Sequence, residues 1–90
     1  MPDPSFFLSG DLDLRRADQL EPGLLAHAES TPGDTVVIDC SELTFIDSSG
    51  LGMLVDVHNQ SGKRLRLQQV PEACRNAFVV TGLDAMFGLA

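Results

Sequence analysis

The run Asp47-Ser48-Ser49-Gly50-Leu51-Gly52 sets one carboxylate and two hydroxyls directly ahead of two glycines. Side chains of this kind accept hydrogen bonds from the first N–H groups of a helix, so Asp47 or Ser48 can act as an N-cap. Glycines at 50 and 52 keep the start of such a helix thin, which lets another backbone or a phosphate approach closely. A helix N-terminus also tolerates negative charge. Taken alone, the segment reads as an ordinary cap. A hydrolytic serine is a poorer fit, because the strained nucleophile turn needs glycine two residues before and after the serine, and Ile46 occupies the first of those places. His27 and His58 have no acid evidently placed to orient them. Asp11 and Asp13 read as turn and helix-start residues instead of a catalytic dyad. Cys40 and Cys74 match no metal-ligand spacing and read as small buried hydrophobes. With no lysine-bearing glycine loop to cradle a phosphate, the chain is expected to be no enzyme and to need neither cofactor nor metal.

The elements that must position this corner can be read from apolar spacing. Phe6-Phe7-Leu8 reads as a short buried strand closed by Ser9-Gly10. Ala17, Leu20, Leu24, Leu25 and Ala28 recur at helical spacing. Asp18 with Glu21 has the form of a capping box, which starts the helix at Asp18; a start near Leu14 instead puts Pro22 inside the helix, where it should kink it. Thr31-Pro32-Gly33-Asp34 is a turn. Val36-Val37-Ile38 is a β-branched run without alternation, the pattern of a strand covered on both faces and ending at Cys40. Leu51, Leu54, Val55 and His58 line a second helix that stops near Ser61-Gly62. Leu65 and Leu67 alternate with Arg64, Arg66 and Gln68 in a strand with one face less buried. Pro71 suits the first position of a third helix, with Cys74, Ala77, Phe78 and Thr81 as its stripe. Gly82-Leu83 stops it, and Asp84 to Phe87 can add a turn. This alternation predicts an α/β fold: one domain over residues 1–90, a small mainly parallel sheet, and helices packed mostly on one face.

Ninety residues leave room for one core. Six Lys and Arg against thirteen Asp and Glu give a formal charge of −7. An acidic surface opposes the phosphate contacts that nucleic acid and anionic membrane require, so the expected partner is a protein with a basic face. No run approaches the length of a membrane span, and Met1-Pro2-Asp3-Pro4 lacks the features of a secretory leader. The expected location is cytoplasmic.

Nearly the whole chain resembles the STAS domain of the anti-anti-sigma factor family. The similarity rests on Leu8-Ser9-Gly10-Asp11-Leu12-Asp13, on Val36-Val37-Ile38-Asp39-Cys40-Ser41, on Phe45-Ile46-Asp47-Ser48-Ser49-Gly50-Leu51-Gly52, and on Thr81-Gly82-Leu83-Asp84-Ala85-Met86-Phe87. The resemblance implies a bacterial anti-sigma factor antagonist that works by partner switching. Unphosphorylated, such a protein binds an anti-sigma factor that is also a GHKL-type serine kinase, and thereby frees a sigma factor. Phosphorylation of the motif's first serine, here Ser48, ends the binding, and a metal-dependent serine phosphatase reverses it. Asp13 and Asp47 match carboxylates bordering that serine, and Ser49 matches the second serine, which is not the usual acceptor. The implied contact surface is Asp13, Asp47, Ser48, Ser49, Gly50 and Leu51. Family members usually carry a further strand before the first one seen here. With only Met1 to Ser5 ahead of Phe6, that edge strand is expected to be missing, leaving an edge open to pairing or homodimerisation.

The alternative function is a non-enzymatic subunit of a larger assembly, since STAS-like domains also serve in stress-signalling scaffolds and lipid-transport complexes. Lipid-transport subunits tend to carry Thr-Gly-Gly where this chain has Ser48-Ser49-Gly50. An anion-transporter STAS domain is fused to membrane spans, and none occurs in this sequence.

Overall fold

Alternation along each strand decides which side chains meet the core, and here it sorts them onto one face. The computed structural model describes residues 6–89. In chain order these form β1 (Phe6–Leu12), α1 (Leu14–Ser30), β2 (Thr35–Ile46), α2 (Ser48–Ser61), β3 (Arg64–Gln68) and α3 (Glu72–Val80). The strands make one sheet in the order β1-β2-β3, with both pairings parallel, as the strand–helix alternation predicts. Leu8 and Leu12, Val36, Ile38 and Cys40, and Leu65 and Leu67 share one buried cluster with Leu24 and Ala28 of α1, Leu54 and Val57 of α2, and Phe78 of α3.

The opposite face of the sheet is open. Phe7, Ser9 and Asp11, then Arg64, Arg66 and Gln68, are exposed there. This corrects two expectations. Phe7 is 69% exposed, so Phe6-Phe7-Leu8 is not a wholly buried strand. Val37 is only half-buried, so β2 is covered on one face. A β-branched run marks extended backbone, but it does not count the layers packed on it. Both strands also run further than read. β1 continues through Gly10 (φ +71°) to Leu12, and β2 passes Cys40 to end at Ile46. Two register shifts against β1 make this possible. Each one moves the alternation by a residue, so Leu43, out of phase with Cys40 and Ile46, still joins the core. At the first shift the Asp39 carboxylate accepts the Ser41 N–H at 2.8 Å. That bond also holds the Asp39 carboxyl below its ordinary pKa.

Helix α1 begins after Asp13, whose carboxylate accepts the Arg16 N–H at 3.0 Å. Of the two starts left open by the sequence, the one near Leu14 holds, and Asp18 and Glu21 lie within the helix. Pro22 is accommodated inside it. The Asp18 carbonyl loses its donor there, on an exposed surface where water can replace it. Helix α2 ends at Gly62 in the left-handed conformation (φ +69°). Its buried face carries Leu51, Met53, Leu54 and Val57, with Val55 and His58 at the margin. Helix α3 starts one residue later than read: Pro71 is its N-cap and Thr81 its C-cap. Because β3 pairs only with Thr35 to Asp39, α3 packs along the rest of β2, where the Cys74 thiol lies 3.9 Å from the Leu43 carbonyl. Turns beyond α3 bring Phe87 edge-on to Phe78, with ring centroids 5.9 Å apart. The Leu67 N–H donates to the Phe87 carbonyl at 3.0 Å. The expected lack of a strand before Phe6 concerns residues 1–5, which lie outside the described residues.

Candidate functional site

Parallel strands end on the same side of a sheet, so the helices that follow them start side by side. Leu12 and Ile46 are register partners at the ends of β1 and β2. The next residue in each case is an aspartate, and each caps the helix after it. Asp13 caps α1; Asp47 caps α2 by accepting the N–H groups of Ser49 at 2.9 Å and Gly50 at 3.2 Å. The Asp47 N–H reaches back to the Leu12 carbonyl at 3.4 Å, and α1 and α2 pack against each other. Two capped helix starts thus share one corner at the carboxyl ends of the strands.

Gly50 is what lets the corner close. A Cβ there would lie 2.6 Å from the Leu12 carbonyl oxygen and 2.8 Å from Ile46 Cγ1. The close approach expected of the two glycines is therefore real at 50, where the visiting backbone is that of β1. Gly52 has nothing within 4 Å of such a Cβ and is exposed.

Of the expected contact residues, Ser48 is exposed at the first position of α2, and Asp13, Asp47 and Ser49 are partly exposed around it. Capping falls to Asp47, which leaves the Ser48 hydroxyl outside the cap. Gly50 and Leu51 are buried, Leu51 to 5% exposure, so they hold the corner and do not present a surface. Two apolar side chains that sequence reasoning passed over flank the corner: Leu14 (62% exposed) and Phe45 (48% exposed). Leu14 falls on the apolar stripe of α1 by spacing, yet as the first helical residue it stands beyond the strand ends. Phe45 sits on the open face, opposite Asp11 in the register. The sequence carries no signal for it, since plain alternation puts Phe45 on the same face as Leu43, and only the register shift between them turns it out. Asp11 takes no part in the corner's capping and accepts the Thr44 hydroxyl at 2.7 Å.

A family model described as "Mlab, STAS domain" matches residues 4–89. The chain belongs to the STAS domain family. The three-stranded parallel sheet with its three helices is consistent with a STAS-like fold, and STAS domains are generally non-enzymatic and often act as anti-sigma factor antagonists. In this STAS domain the two cysteines are buried and free, and burial pushes the Cys40 thiol up to about 12. At neutral pH such a thiol is protonated and unreactive. Among the described residues no His, Cys, Asp and Glu cluster is arranged to hold a metal, and no helix is long and apolar enough to cross a membrane.

Proposed function

We propose that this STAS domain is an interaction switch. Unphosphorylated, it docks an anti-sigma factor that is also a GHKL-type serine kinase, which frees a sigma factor. Phosphorylated on Ser48, it lets that partner go, and a metal-dependent serine phosphatase restores docking. The observation that supports this most is the placement of Ser48: an exposed hydroxyl at a helix start whose cap is supplied by its neighbour. Modification of Ser48 can therefore change the surface without dismantling the helix.

A phosphate adds about −1.5 to −2 charges near neutral pH, beside Asp47 and across the corner from Asp13. The N-terminus of α2 tolerates that charge, so the fold needs no rearrangement. A partner packed over Ser48 does not tolerate it, because a dianion would have to be desolvated among carboxylates. A loss of about 2–5 kcal/mol is the expected scale, a weakening of about thirtyfold to a few thousandfold. Leu14 and Phe45 are the apolar anchors of the docking face, and Asp13, Asp47, Ser48 and Ser49 its polar part. The test is phosphopeptide mapping after incubation with lysate of the native cells and ATP. Phosphate on Ser48, lost in Ser48→Ala, is the expected result. Phosphate on Ser49 or elsewhere rejects the proposal.

One observation favours a second reading, a non-enzymatic subunit of a larger assembly: the matching family model carries Mlab in its description. The sequence Ser48-Ser49-Gly50 departs from the Thr-Gly-Gly of lipid-transport subunits. A subunit of that kind co-purifies with its assembly whether or not Ser48 is changed to Asp, whereas the switch does not.

A further inference from the structure

The face of the sheet turned away from the helices carries charge sorted by position. β3 sets Arg64 and Arg66 there, exposed and alternating with buried Leu65 and Leu67. They stand opposite Thr35 and Val37 at the start of β2. Asp34 adjoins Arg64, but it lies in the turn ahead of β2. Further along the same face the sign reverses. Asp39 is opposite Phe7, Glu42 opposite Ser9 and Asp11 opposite Phe45, so three carboxylates occupy the half of the face nearer Ser48. Between the two ends lies an apolar centre. Phe7 is 69% exposed. Half-buried Val37 is its diagonal neighbour, two residues before the Asp39 with which Phe7 pairs.

A face with this layout is complementary to itself. A two-fold axis crossing the strands near Val37 and Phe7 turns a second copy end for end, so the arginine end of each copy lies over the carboxylate end of the other. Sheets packed face to face stand about 10 Å apart with strand directions within about 30°, a gap that arginine and glutamate side chains span. Phe7 of each copy then covers Val37 of the other, which removes an exposed aromatic from an edge strand. Strands spaced about 4.8 Å apart and rising about 3.3 Å per residue give a three-stranded overlap on the order of 500 Å² per copy, small for a specific interface. The expected association is therefore reversible, with a Kd of about 10–100 µM. From the axis β2 runs on to Ile46 in one direction but only to Thr35 in the other. Phe45 and Ser48 thus project past the contact, one corner at each end of the pair.

We propose that two copies of this chain associate through the open face of the sheet, with Arg64 and Arg66 of each facing Asp39 and Glu42 of the other. The contact does not depend on how Ser48 is used. The test is analytical ultracentrifugation of the full chain from about 5 µM to 1 mM, with two charge variants. Arg64→Glu with Arg66→Glu makes both ends acidic. Asp39→Asn with Glu42→Lys takes the acid from the other end, and the new amide oxygen still accepts the Ser41 N–H that the Asp39 carboxylate holds. The expected result is a concentration-dependent dimer of the wild type that added salt loosens severalfold. Each variant alone should dimerise at least about tenfold more weakly, and an equimolar mixture of the two should recover dimers severalfold tighter than either forms by itself. Phe7→Ser, which alters no charge, should also weaken the wild-type dimer. These side chains are exposed or half-exposed, so far-UV circular dichroism of every variant should match the wild type. A chain that stays monomeric to about 1 mM overturns the contact. Dimers that survive both charge variants put the interface elsewhere, such as the edge of β1, and overturn it too, as does a mixture that recovers nothing.

Discussion

Gly50 and Gly52 stand two positions apart on α2 and do opposite things. At Gly50 a methyl group collides with the main chain of β1, 2.6 Å from the Leu12 oxygen, which cannot swing aside as a side chain would. Gly50→Ala is expected to destabilise the fold by about 1–3 kcal/mol. Gly52→Ala meets nothing and relieves the unfolded chain of glycine's freedom, so it should stabilise by about 0.4–1 kcal/mol. Denaturant unfolding of both variants checks the pair; equal effects would show that the corner is not closed by backbone contact. Asp47→Ala removes the acceptor for two N–H groups and should lower stability by about 0.5–2 kcal/mol, read in the same experiment, while Asp47→Asn keeps most of it. At this scale the sequence was legible in part. A carboxylate and serines before glycines announce a helix start, but residue types alone do not say which of Asp47 and Ser48 caps. Nor do they say that only Gly50 meets a neighbouring backbone, because that depends on β1, far away in the chain.

The elements were legible where their periodicity stayed regular and obscure where it slipped. β3, with strict alternation of Leu65 and Leu67 against arginines, matches its reading. β2 does not, because its two register shifts against β1 hide a strand that runs to Ile46 behind a pattern that seems to stop at Cys40. For α1 the capping-box pattern at Asp18 and Glu21 competed with the real start, and tertiary placement of Asp13 at the end of β1 decided between them. Burial of Cys40 in β2 has a consequence that can be measured. Its thiol is held up to about 12 from an ordinary 9.0. Below pH 9 it is protonated in both the folded and unfolded chain and adds no pH dependence. Between about 9 and 12 the unfolded chain releases this proton and the folded one does not, so stability falls as pH rises, by at most about 1.4 kcal/mol per unit. Cys40→Ala should flatten the alkaline decline of unfolding free energy relative to wild type. Parallel slopes would mean that the thiol ionises in the folded state.

At the scale of the molecule, one face of the sheet is covered by helices and the other is open, and the strand ends gather two capped helix starts around one hydroxyl. The order of elements in the sequence was enough to foresee a small parallel sheet, since strand–helix–strand units have few ways to pack. It was not enough to foresee Leu14 and Phe45 exposed at the corner beside Ser48, because that exposure depends on where the strands end and where their register shifts. The proposed switch rests on electrostatics at a fixed surface, so charge at Ser48 should alter binding and leave folding alone. The thermal midpoint of Ser48→Asp should stay within about 2 °C of wild type, because the helix cap is untouched. The most direct measurement is calorimetric titration of the anti-sigma partner with wild-type protein and with Ser48→Asp. The expected result is clear binding for the former and at least about a thirtyfold loss for the latter. Equal affinity of the two proteins would contradict the switch.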